Sequence, residues 1–197
     1  MNTEFDREMR SPDWERVFAR QALRVPLLDE WFALLDARPG SRIADLGCGP
    51  GFVSLELARR VGPAPAVVYA VDRSADAIDY LRTQAALYGL DHIVPLVADL
   101  ETLDGLPGEI EAALLAMTVH HASDPVAMLH SAGRLGGEGA PLVVPEFHPD
   151  GPATVGPPAG ARLAPSTLQA YARQAGLTCT TYRRQTSEHY VCAFLPA

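Results

Sequence analysis

Short runs of apolar residues alternate, from residue 42 onward, with segments in which apolar side chains recur every three or four positions. Uninterrupted apolar runs are typical of strands that are buried on both faces, and the wider spacing is typical of amphipathic helices. This alternation predicts βαβ units and a mainly parallel sheet. The strands are predicted over residues 42–46, 67–72, 93–97, 112–117 and 140–146.

Helices are predicted over residues 50–60, 75–88, 124–135 and 165–175. Ile78, Leu81 and Ala85 recur at helical spacing and leave the charged residues on the opposite face. Asp124 and Pro125 supply an N-cap and a first-turn proline. These signals place helices between the strands, as a doubly wound α/β sheet requires.

Both ends of the chain depart from this repeating pattern. The first 40 residues are amphipathic and helical with a break near Pro26, and their aromatic side chains either pack on the sheet or close a lid over a ligand. Residues 147–163 are so rich in proline and glycine that they predict a long loop. Residues 177–183 and 189–195 then predict two strands joined by a short turn, which would end the sheet as an antiparallel hairpin.

The length and charge of the chain narrow its class. Its 197 residues suffice for one domain with a substantial core. We divide this domain, residues 1–197, into an N-terminal helical lid (1–38) and an α/β core (39–197). The net charge of −8 disfavours a nucleic-acid partner, which needs a basic face, and favours a small-molecule substrate.

Composition also bears on location and metals. No apolar stretch approaches the ~20 residues that span a bilayer, and the charged first ten residues lack the apolar region of a signal peptide. Cys48, Cys179 and Cys192 are scattered without a CxxC pair, which predicts a reducing, cytoplasmic location and no disulfide framework. Cysteine and histidine show no metal-ligand spacing, so no metal is predicted.

The sequence IADLGCGPGF, residues 43–52, places three glycines at alternate positions directly after the first strand. A glycine turn between a strand and a helix presents backbone N–H groups at the edge where open α/β sheets bind ligands. The missing side chains let a ligand approach the backbone closely. The spacing Gly47-x-Gly49-x-Gly51 is GxGxG and differs from the GxGxxG of dinucleotide sites.

Two carboxylates follow at strand ends on the same edge. Asp72 ends the second strand, about 20 residues beyond the glycines, where an acid can accept both hydroxyls of a ribose. Asp99 follows the third strand and can accept from an exocyclic amine such as that of adenine, and Asp45 could attract an ammonium group. No lysine supplies a phosphate clamp. An amine, a ribose and an adenine without phosphate predict S-adenosylmethionine as the cofactor.

With these motifs the chain resembles the class I S-adenosylmethionine-dependent methyltransferases. The segment LLAMTVHHASDPVAMLHSAGRLGGEGAPLVVPEF resembles that superfamily's fourth strand, its HH turn, the next helix and the fifth strand. REMRSPDWER and GPPAGARLAP resemble motifs of its small single-domain members, the methyltransferase type 11 and ubiquinone- or arsenite-methylating enzymes, although the cysteine trio of a metalloid site is absent. The resemblance implies a Rossmann-like, seven-stranded sheet of order 3-2-1-4-5-7-6 with the last strand antiparallel.

The resemblance also implies cofactor-binding residues at the ends of the first four strands: Asp45, Gly47, Cys48, Gly49, Asp72, Arg73, Asp99, Leu100 and Met117. The glycine turn would line the methionine moiety, Asp45 would orient its ammonium group and Asp72 would hold the ribose. Asp99 and the Leu100 backbone would read the adenine, which Arg73 would flank. Met117 would lie beside the sulfonium.

Methyl transfer is an in-line attack on an electron-poor methyl group, so the protein mainly supplies proximity and orientation. A general base is needed only when the acceptor carries a proton. His120 and His121, just past the fourth strand, are the catalytic candidates because histidine titrates near neutrality, although either could merely tie the turn. Further polar groups near the predicted mouth are Glu146, His148, His189 and Tyr190.

The acceptor pocket is predicted between residues 1–36 and the loop 147–163, because the strand ends already account for the cofactor. An apolar wall and a few polar groups are expected there, as in most small-molecule sites. The predicted wall consists of Trp14, Phe18 and Trp31, and the predicted polar groups are His120, His121 and His148.

Three other functions stay open. An RNA or protein methyltransferase would be indicated by a basic patch or an added binding domain, and a non-catalytic cofactor-binding subunit by binding without turnover. A nicotinamide oxidoreductase is disfavoured by the GxGxG spacing and by the lack of a Tyr-x-x-x-Lys pattern. The acceptor and the oligomeric state do not follow from the sequence.

Overall fold

The computed structural model describes residues 13–197, which contain a seven-stranded sheet of order β3-β2-β1-β4-β5-β7-β6. β1 to β5 are parallel, and β7 is antiparallel to both β5 and β6. The predicted Rossmann-like sheet, including its antiparallel last strand, is confirmed. The strands are β1 (Arg42–Leu46), β2 (Val67–Asp72), β3 (Ile93–Val97), β4 (Ala112–Leu114), β5 (Leu142–Phe147), β6 (Leu177–Arg184) and β7 (His189–Pro196).

Helices cover both faces of this sheet. They are α1 (Trp14–Ala22), α2 (Val25–Leu34), α3 (Phe52–Val61), α4 (Ala75–Leu87), α5 (Pro125–Arg134) and α6 (Pro165–Gln174), with short 3-10 helices at Val119–His121 and Ala159–Ala161. Neighbouring residues of one strand, such as Ile43 and Ala44, fall into different core clusters because side chains alternate across a sheet. α2, α3 and α4 bury their apolar faces in one cluster, and α5 and α6 in the other. No helix within residues 13–197 is long and apolar enough to cross a membrane.

Local signals explain where the helices begin. Asp124 Oδ1 accepts hydrogen bonds from the backbone N–H groups of Val126 and Ala127, both at 3.0 Å, and Pro125 opens α5 as predicted. α3 begins at Phe52, two residues later than predicted. Gly51 causes the delay: its φ of 86° is left-handed, and it ends the turn before the helix starts.

The N-terminal helices break where the sequence predicts. α1 ends at Ala22, and α2 begins at Val25 with Pro26 in its first turn, where a proline lacks only an N–H that would be unpaired anyway. Trp31 of α2 is fully buried, and its Nε1 donates to Gln185 Oε1 at 2.8 Å. The prediction that Trp31 forms a pocket wall is therefore wrong, because its ring packs in the core. Residues 1–12, with most of REMRSPDWER, lie outside the described residues.

β4 is shorter than the predicted 112–117, although its hydrogen bonding continues. The backbone N–H groups of Leu115 and Met117 donate to Val143 and Pro145 of β5, each at 2.9 Å. Met117 then adopts a left-handed φ of 54°, which turns the chain out of the sheet into the first 3-10 helix. The strand end therefore delivers its next residues to the edge of the sheet, where the site lies.

Candidate active site

The glycine turn after β1 is held tightly to the neighbouring strands. The N–H groups of Gly47 and Cys48 both donate to the carbonyl of Val71 in β2, at 2.7 and 3.0 Å. Gly47 has a φ of 70°, and a Cβ there would collide with the side chain of Thr118. This glycine is therefore required by the backbone and by a protein neighbour, in addition to any ligand.

Asp72 is the acid that closes this turn. Its Oδ2 accepts from the N–H of Gly49 at 2.8 Å, and its Oδ1 accepts from the N–H of Ser74 at 2.9 Å. Each carboxylate oxygen has more than one acceptor site, so both can still accept from a ligand hydroxyl. Asp99, after β3, accepts at Oδ1 from the N–H of Glu101 at 2.9 Å and lines the same cavity.

The predicted cofactor residues divide into two groups. Those that line the cavity are Gly47, Gly49, Asp72, Arg73, Asp99, Leu100 and Met117. Asp45 and Cys48 are 2% exposed and are not among the lining residues. Asp45 Oδ2 accepts from Ser54 Oγ of α3 at 2.5 Å, and burial raises the pKa of Asp45 to about 6. Burial raises the pKa of the Cys48 thiol, which leaves it unreactive.

Asp45 and Cys48 thus lie behind the turn, a place that differs from the one predicted for them. Asp45 is in the buried part of β1, and its carboxylate points at α3 instead of the cavity. The hydrogen bond between Ser54 and Asp45 fixes β1 to α3, and the action of Asp45 on a ligand ammonium group stays a prediction.

Gln21 of α1 is a site residue that the sequence analysis missed. Its Nε2 donates to the carbonyl of Cys48, and its Oε1 accepts from the N–H of Phe52, both at 3.0 Å. One amide therefore satisfies a carbonyl of the glycine turn and an unpaired N–H at the start of α3. The sequence indicates that the turn carbonyl and the helix N–H need hydrogen-bond partners. It does not indicate that a glutamine some thirty residues away supplies them.

Phe18 also serves the attachment of α1. Its ring lies 5.3 Å from that of Phe52 and 5.7 Å from that of Tyr80, measured between centroids. Phe18 is not among the cavity-lining residues, whereas Trp14 is. Trp14 therefore lines the cavity as predicted. The prediction is wrong for Phe18, which packs α1 on α3 and α4.

A buried histidine–glutamate pair lies opposite the glycine turn. His120 Nδ1 lies 2.8 Å from Glu146 Oε2, and the backbone N–H groups of His120 and Phe147 also donate to this carboxylate, at 3.3 and 3.2 Å. The Glu146 side chain is fully buried. An ionised carboxylate can only accept, so it holds the proton on His120 Nδ1 and leaves Nε2 as an acceptor.

Two further histidines line the cavity near this pair. The ring of His121 lies 4.0 Å from that of His120, and burial, together with His120, lowers the pKa of His121 to about 4. Burial and the nearby Arg24 lower the pKa of His189 to about 4. Both imidazoles are therefore neutral at pH 7. His148, predicted as a polar group of the pocket, instead accepts from the N–H of Asp150 at Nδ1 (3.2 Å) and is not among the cavity-lining residues.

The loop after β5 is fastened over the site by Arg162. Its guanidinium donates to the carbonyls of Pro157, His148 and Val155 at 3.0, 3.0 and 2.6 Å, and to Glu188 Oε2 at 2.5 Å. Arg162 belongs to the motif GPPAGARLAP, and these hydrogen bonds show that the arginine of this motif holds the loop in place. The loop contributes Thr154, Val155, Gly156 and Pro157 to the cavity wall.

Glu188 completes the fastening from the β6–β7 turn. Its Oε1 accepts from both the N–H and the hydroxyl of Thr154, at 2.8 and 2.6 Å. Burial alone would raise the pKa of Glu188, but the hydrogen bonds from Thr154 and Arg162 lower it to about 2. Nearby, the hydroxyl of Tyr190 donates a hydrogen bond to the carbonyl of Leu163 at 2.9 Å. Glu188 and Tyr190 therefore hold the loop.

The cavity between these elements has a volume of about 1180 Å³. A single small-molecule site usually measures roughly 300–1,000 Å³. The glycine turn, Asp72 and Asp99 form one wall, the histidine pair and the loop form the other, and α1 covers the glycine turn through Gln21. The volume therefore accommodates two ligands side by side.

Comparison with known proteins agrees with this geometry. Residues 43–138 match a family model described as a methyltransferase domain. Residues 43–138 are therefore similar to a methyltransferase domain. The resemblance to S-adenosylmethionine-dependent methyltransferases inferred from the sequence is confirmed, and the sheet is the Rossmann-like methyltransferase fold.

Individual relatives extend the likeness. A 2-phytyl-1,4-naphtoquinone methyltransferase from Trichormus variabilis is 32% identical over 146 residues, 67% of this chain and 63% of the relative. A SAM-dependent methyltransferase from Aquifex aeolicus has a TM-score of 0.76 at 19% identity, covering 85% of this chain and 88% of that one. The O-methyltransferase NcsB1, crystallised with S-adenosylhomocysteine and 1,4-dihydroxy-2-naphthoic acid, has a TM-score of 0.68 at 18% identity, covering 85% and 51%. The chain spans less than two thirds of the curated relatives it matches.

Proposed function

We propose that this protein transfers a methyl group from S-adenosylmethionine to a small-molecule acceptor. The observation that carries the proposal is that one cavity joins the glycine turn, Asp72 and Asp99 to the His120–Glu146 pair. The first wall suits an adenosine, because Asp72 can accept from the ribose hydroxyls and Asp99 from the adenine amine. The second wall suits an acceptor that must lose a proton.

The cofactor wall matches the ligand group by group. Asp72 ends β2, and its two oxygens can each accept from a ribose hydroxyl while they hold the turn. Asp99 and Leu100 lie after β3 and line the cavity, so the carboxylate would accept from the adenine amine and Arg73 would flank the adenine. Met117, which follows β4 and lines the same cavity, would lie beside the sulfonium. Asp45 would act on the ammonium group from behind the turn.

The chemistry at the second wall follows from the tautomer of His120. S-adenosylmethionine, when bound, supplies a methyl group on a sulfonium that is itself the leaving group. As a bond forms between the acceptor's oxygen or nitrogen and the methyl carbon, the carbon–sulfur bond breaks and its electron pair stays on sulfur. His120 Nε2 takes the proton that the acceptor loses, and Glu146 stabilises the resulting imidazolium. The neutral His121 adds no competing charge.

The size and charge of the protein favour a small acceptor. The fastened loop and α1 bound the cavity, and the net charge of −8 disfavours RNA. The relative from Trichormus variabilis is named for a naphthoquinone, and NcsB1 was crystallised with 1,4-dihydroxy-2-naphthoic acid. We further propose a cytoplasmic location, because Cys48, Cys179 and Cys192 are all free thiols.

The proposal is tested by S-adenosylhomocysteine release on a panel of phenols, hydroxy acids and amines. Glu146→Gln keeps the shape of the buried side chain but removes the charge that holds the His120 tautomer, so kcat should fall by about 10²–10⁴. The kcat of His120→Gln should fall by a similar factor, because the base itself is lost. His130→Gln, which alters a residue of α5 that hydrogen-bonds the Ala175 carbonyl, is the matched control.

Cofactor affinity separates the alternatives. In the Glu146 and His120 variants the Kd for S-adenosylhomocysteine should stay within about threefold of wild type. Full turnover in Glu146→Gln would contradict the base assignment. Tight cofactor binding with no turnover on any acceptor would favour the non-catalytic subunit, and turnover confined to RNA or protein would contradict the small-molecule proposal.

A further inference from the structure

Arg24 is the residue that precedes α2, and its side chain lines the cavity. Its guanidinium carbon lies 5.7 Å from the centre of the Phe147 ring. Burial and the neighbouring Arg20 lower the pKa of Arg24 to about 10, while Glu146 acts in the opposite direction. The group therefore remains charged at neutral pH although it has lost part of its hydration.

Within the described part of the chain, this cation has no ion pair of its own. Among residues 13–197, none accepts a hydrogen bond from the Arg24 guanidinium or forms a salt bridge with it. Glu146 acts on it electrostatically, but the hydrogen bonds to that carboxylate come from His120 and Phe147 and not from Arg24. A partly dehydrated charge without a partner is costly, and an anionic ligand would relieve that cost.

We propose that Arg24 binds a carboxylate of the methyl acceptor, so that the substrates of this protein are small organic acids with a separate nucleophile. The proposal rests on the proposed function and specifies the substrate class. The planar guanidinium matches a carboxylate with two parallel hydrogen bonds, a geometry that lysine does not offer.

The position of Arg24 favours the acceptor over the cofactor as the source of this carboxylate. Arg24 and His120 flank the same Phe147 ring, at 5.7 and 5.9 Å from its centre, so one small molecule can reach both. Phe147 ends β5, which is separated from β1 and its glycine turn by β4. Two strand spacings are about 10 Å. Although Gln21, three residues before Arg24, contacts the glycine turn, the contact with Phe147 directs the Arg24 guanidinium towards the acceptor side of the cavity.

The test compares acids with their neutral amides. Two probe pairs, 3,4-dihydroxybenzoate with its amide and 1,4-dihydroxy-2-naphthoate with its amide, are titrated calorimetrically into protein saturated with S-adenosylhomocysteine. Wild type should bind at least one acid about tenfold or more tightly than its amide. Arg24→Gln should abolish this preference and Arg24→Lys should keep part of it. Arg82→Gln removes an exposed arginine that pairs with Asp79 and should change nothing.

Other outcomes overturn the inference. If wild type shows no preference for either acid, or if Arg24→Gln retains the preference, Arg24 does not bind an acceptor carboxylate. If Arg24→Gln weakens S-adenosylhomocysteine tenfold or more, the carboxylate is that of the cofactor's amino-acid end. If wild type does not bind S-adenosylhomocysteine at all, the proposed function fails instead, and the same acid and amide pairs titrated into the protein alone still decide whether Arg24 is an anion site.

Discussion

Replacing Asp72 by alanine tests the cofactor wall most sharply, because this one side chain serves both the protein and the proposed ribose. Two charge-assisted bonds to ribose hydroxyls would each contribute ~1.5–3 kcal/mol. Tenfold in Kd corresponds to ~1.4 kcal/mol, so loss of one bond predicts at least a tenfold weaker complex and loss of both at least a roughly hundredfold weaker one. Calorimetric titration with S-adenosylhomocysteine measures the change.

The substitution also removes the acceptors of the Gly49 and Ser74 N–H groups. Both groups lie in a half-buried turn and can turn to water, so we expect a loss of about 1–3 kcal/mol in the free energy of unfolding. That is small beside the 5–15 kcal/mol typical of a domain, and the fold should persist. Asp79→Ala, on the exposed side of α4 where Asp79 pairs with Arg82, is the matched loss of charge and should leave Kd unchanged.

A thermodynamic cycle separates the ribose contact from damage to the turn. An S-adenosylhomocysteine analogue that lacks the ribose 2′-hydroxyl should bind wild type at least tenfold more weakly than the parent compound. In Asp72→Ala the two compounds should bind with nearly equal Kd, because the hydroxyl has lost its partner. If the variant still discriminates by the wild-type factor, Asp72 does not hold the ribose.

Two further predictions concern the elements that close the site. Gln21→Ala should lower the free energy of unfolding by about 1–3 kcal/mol, because the Cys48 carbonyl and an N–H of α3 lose their hydrogen-bond partner. Gln84→Ala on α4 is the control and should leave the free energy of unfolding unchanged. Equal denaturant midpoints for the two variants would refute the structural role of Gln21. Glu188 has a folded pKa near 2, below its usual 4.5, so its stabilisation is complete above pH 4.5 and disappears as the pH falls towards 2. Thermal unfolding should therefore show the stability gap between wild type and Glu188→Gln narrowing over this range, and a gap that stays constant would count against the assignment.

Most helices and strands could be predicted from the sequence, because the signals that specify them are local. The glycines after β1 need left-handed backbone angles, Asp124 and Pro125 open α5, and apolar runs mark strands buried on both faces. The order of the strands came from the family resemblance, since local patterns do not specify which strands are neighbours. The acids at the ends of β2 and β3 reached the same cavity because parallel strands share one edge.

The contacts that the sequence did not predict join residues distant along the chain. Gln21 meets the glycine turn 27 residues later, and Arg162 meets Glu188 26 residues later. No periodicity or spacing marks such pairs, because they depend on how helices and loops pack. The same limit explains Trp31: an aromatic residue on an amphipathic helix suits a pocket wall and a core equally, and only the packing of α2 on the sheet decides for the core.

The central claim is that the cavity binds S-adenosylmethionine, and parallel calorimetric titrations with S-adenosylmethionine, S-adenosylhomocysteine and NAD test it directly. The carboxylates at Asp72 and Asp99 and the absence of lysine predict saturable binding of the first two ligands at one site per chain, with no binding of NAD. Binding of NAD as tight as that of S-adenosylmethionine, or no binding of either sulfur compound, would contradict the account.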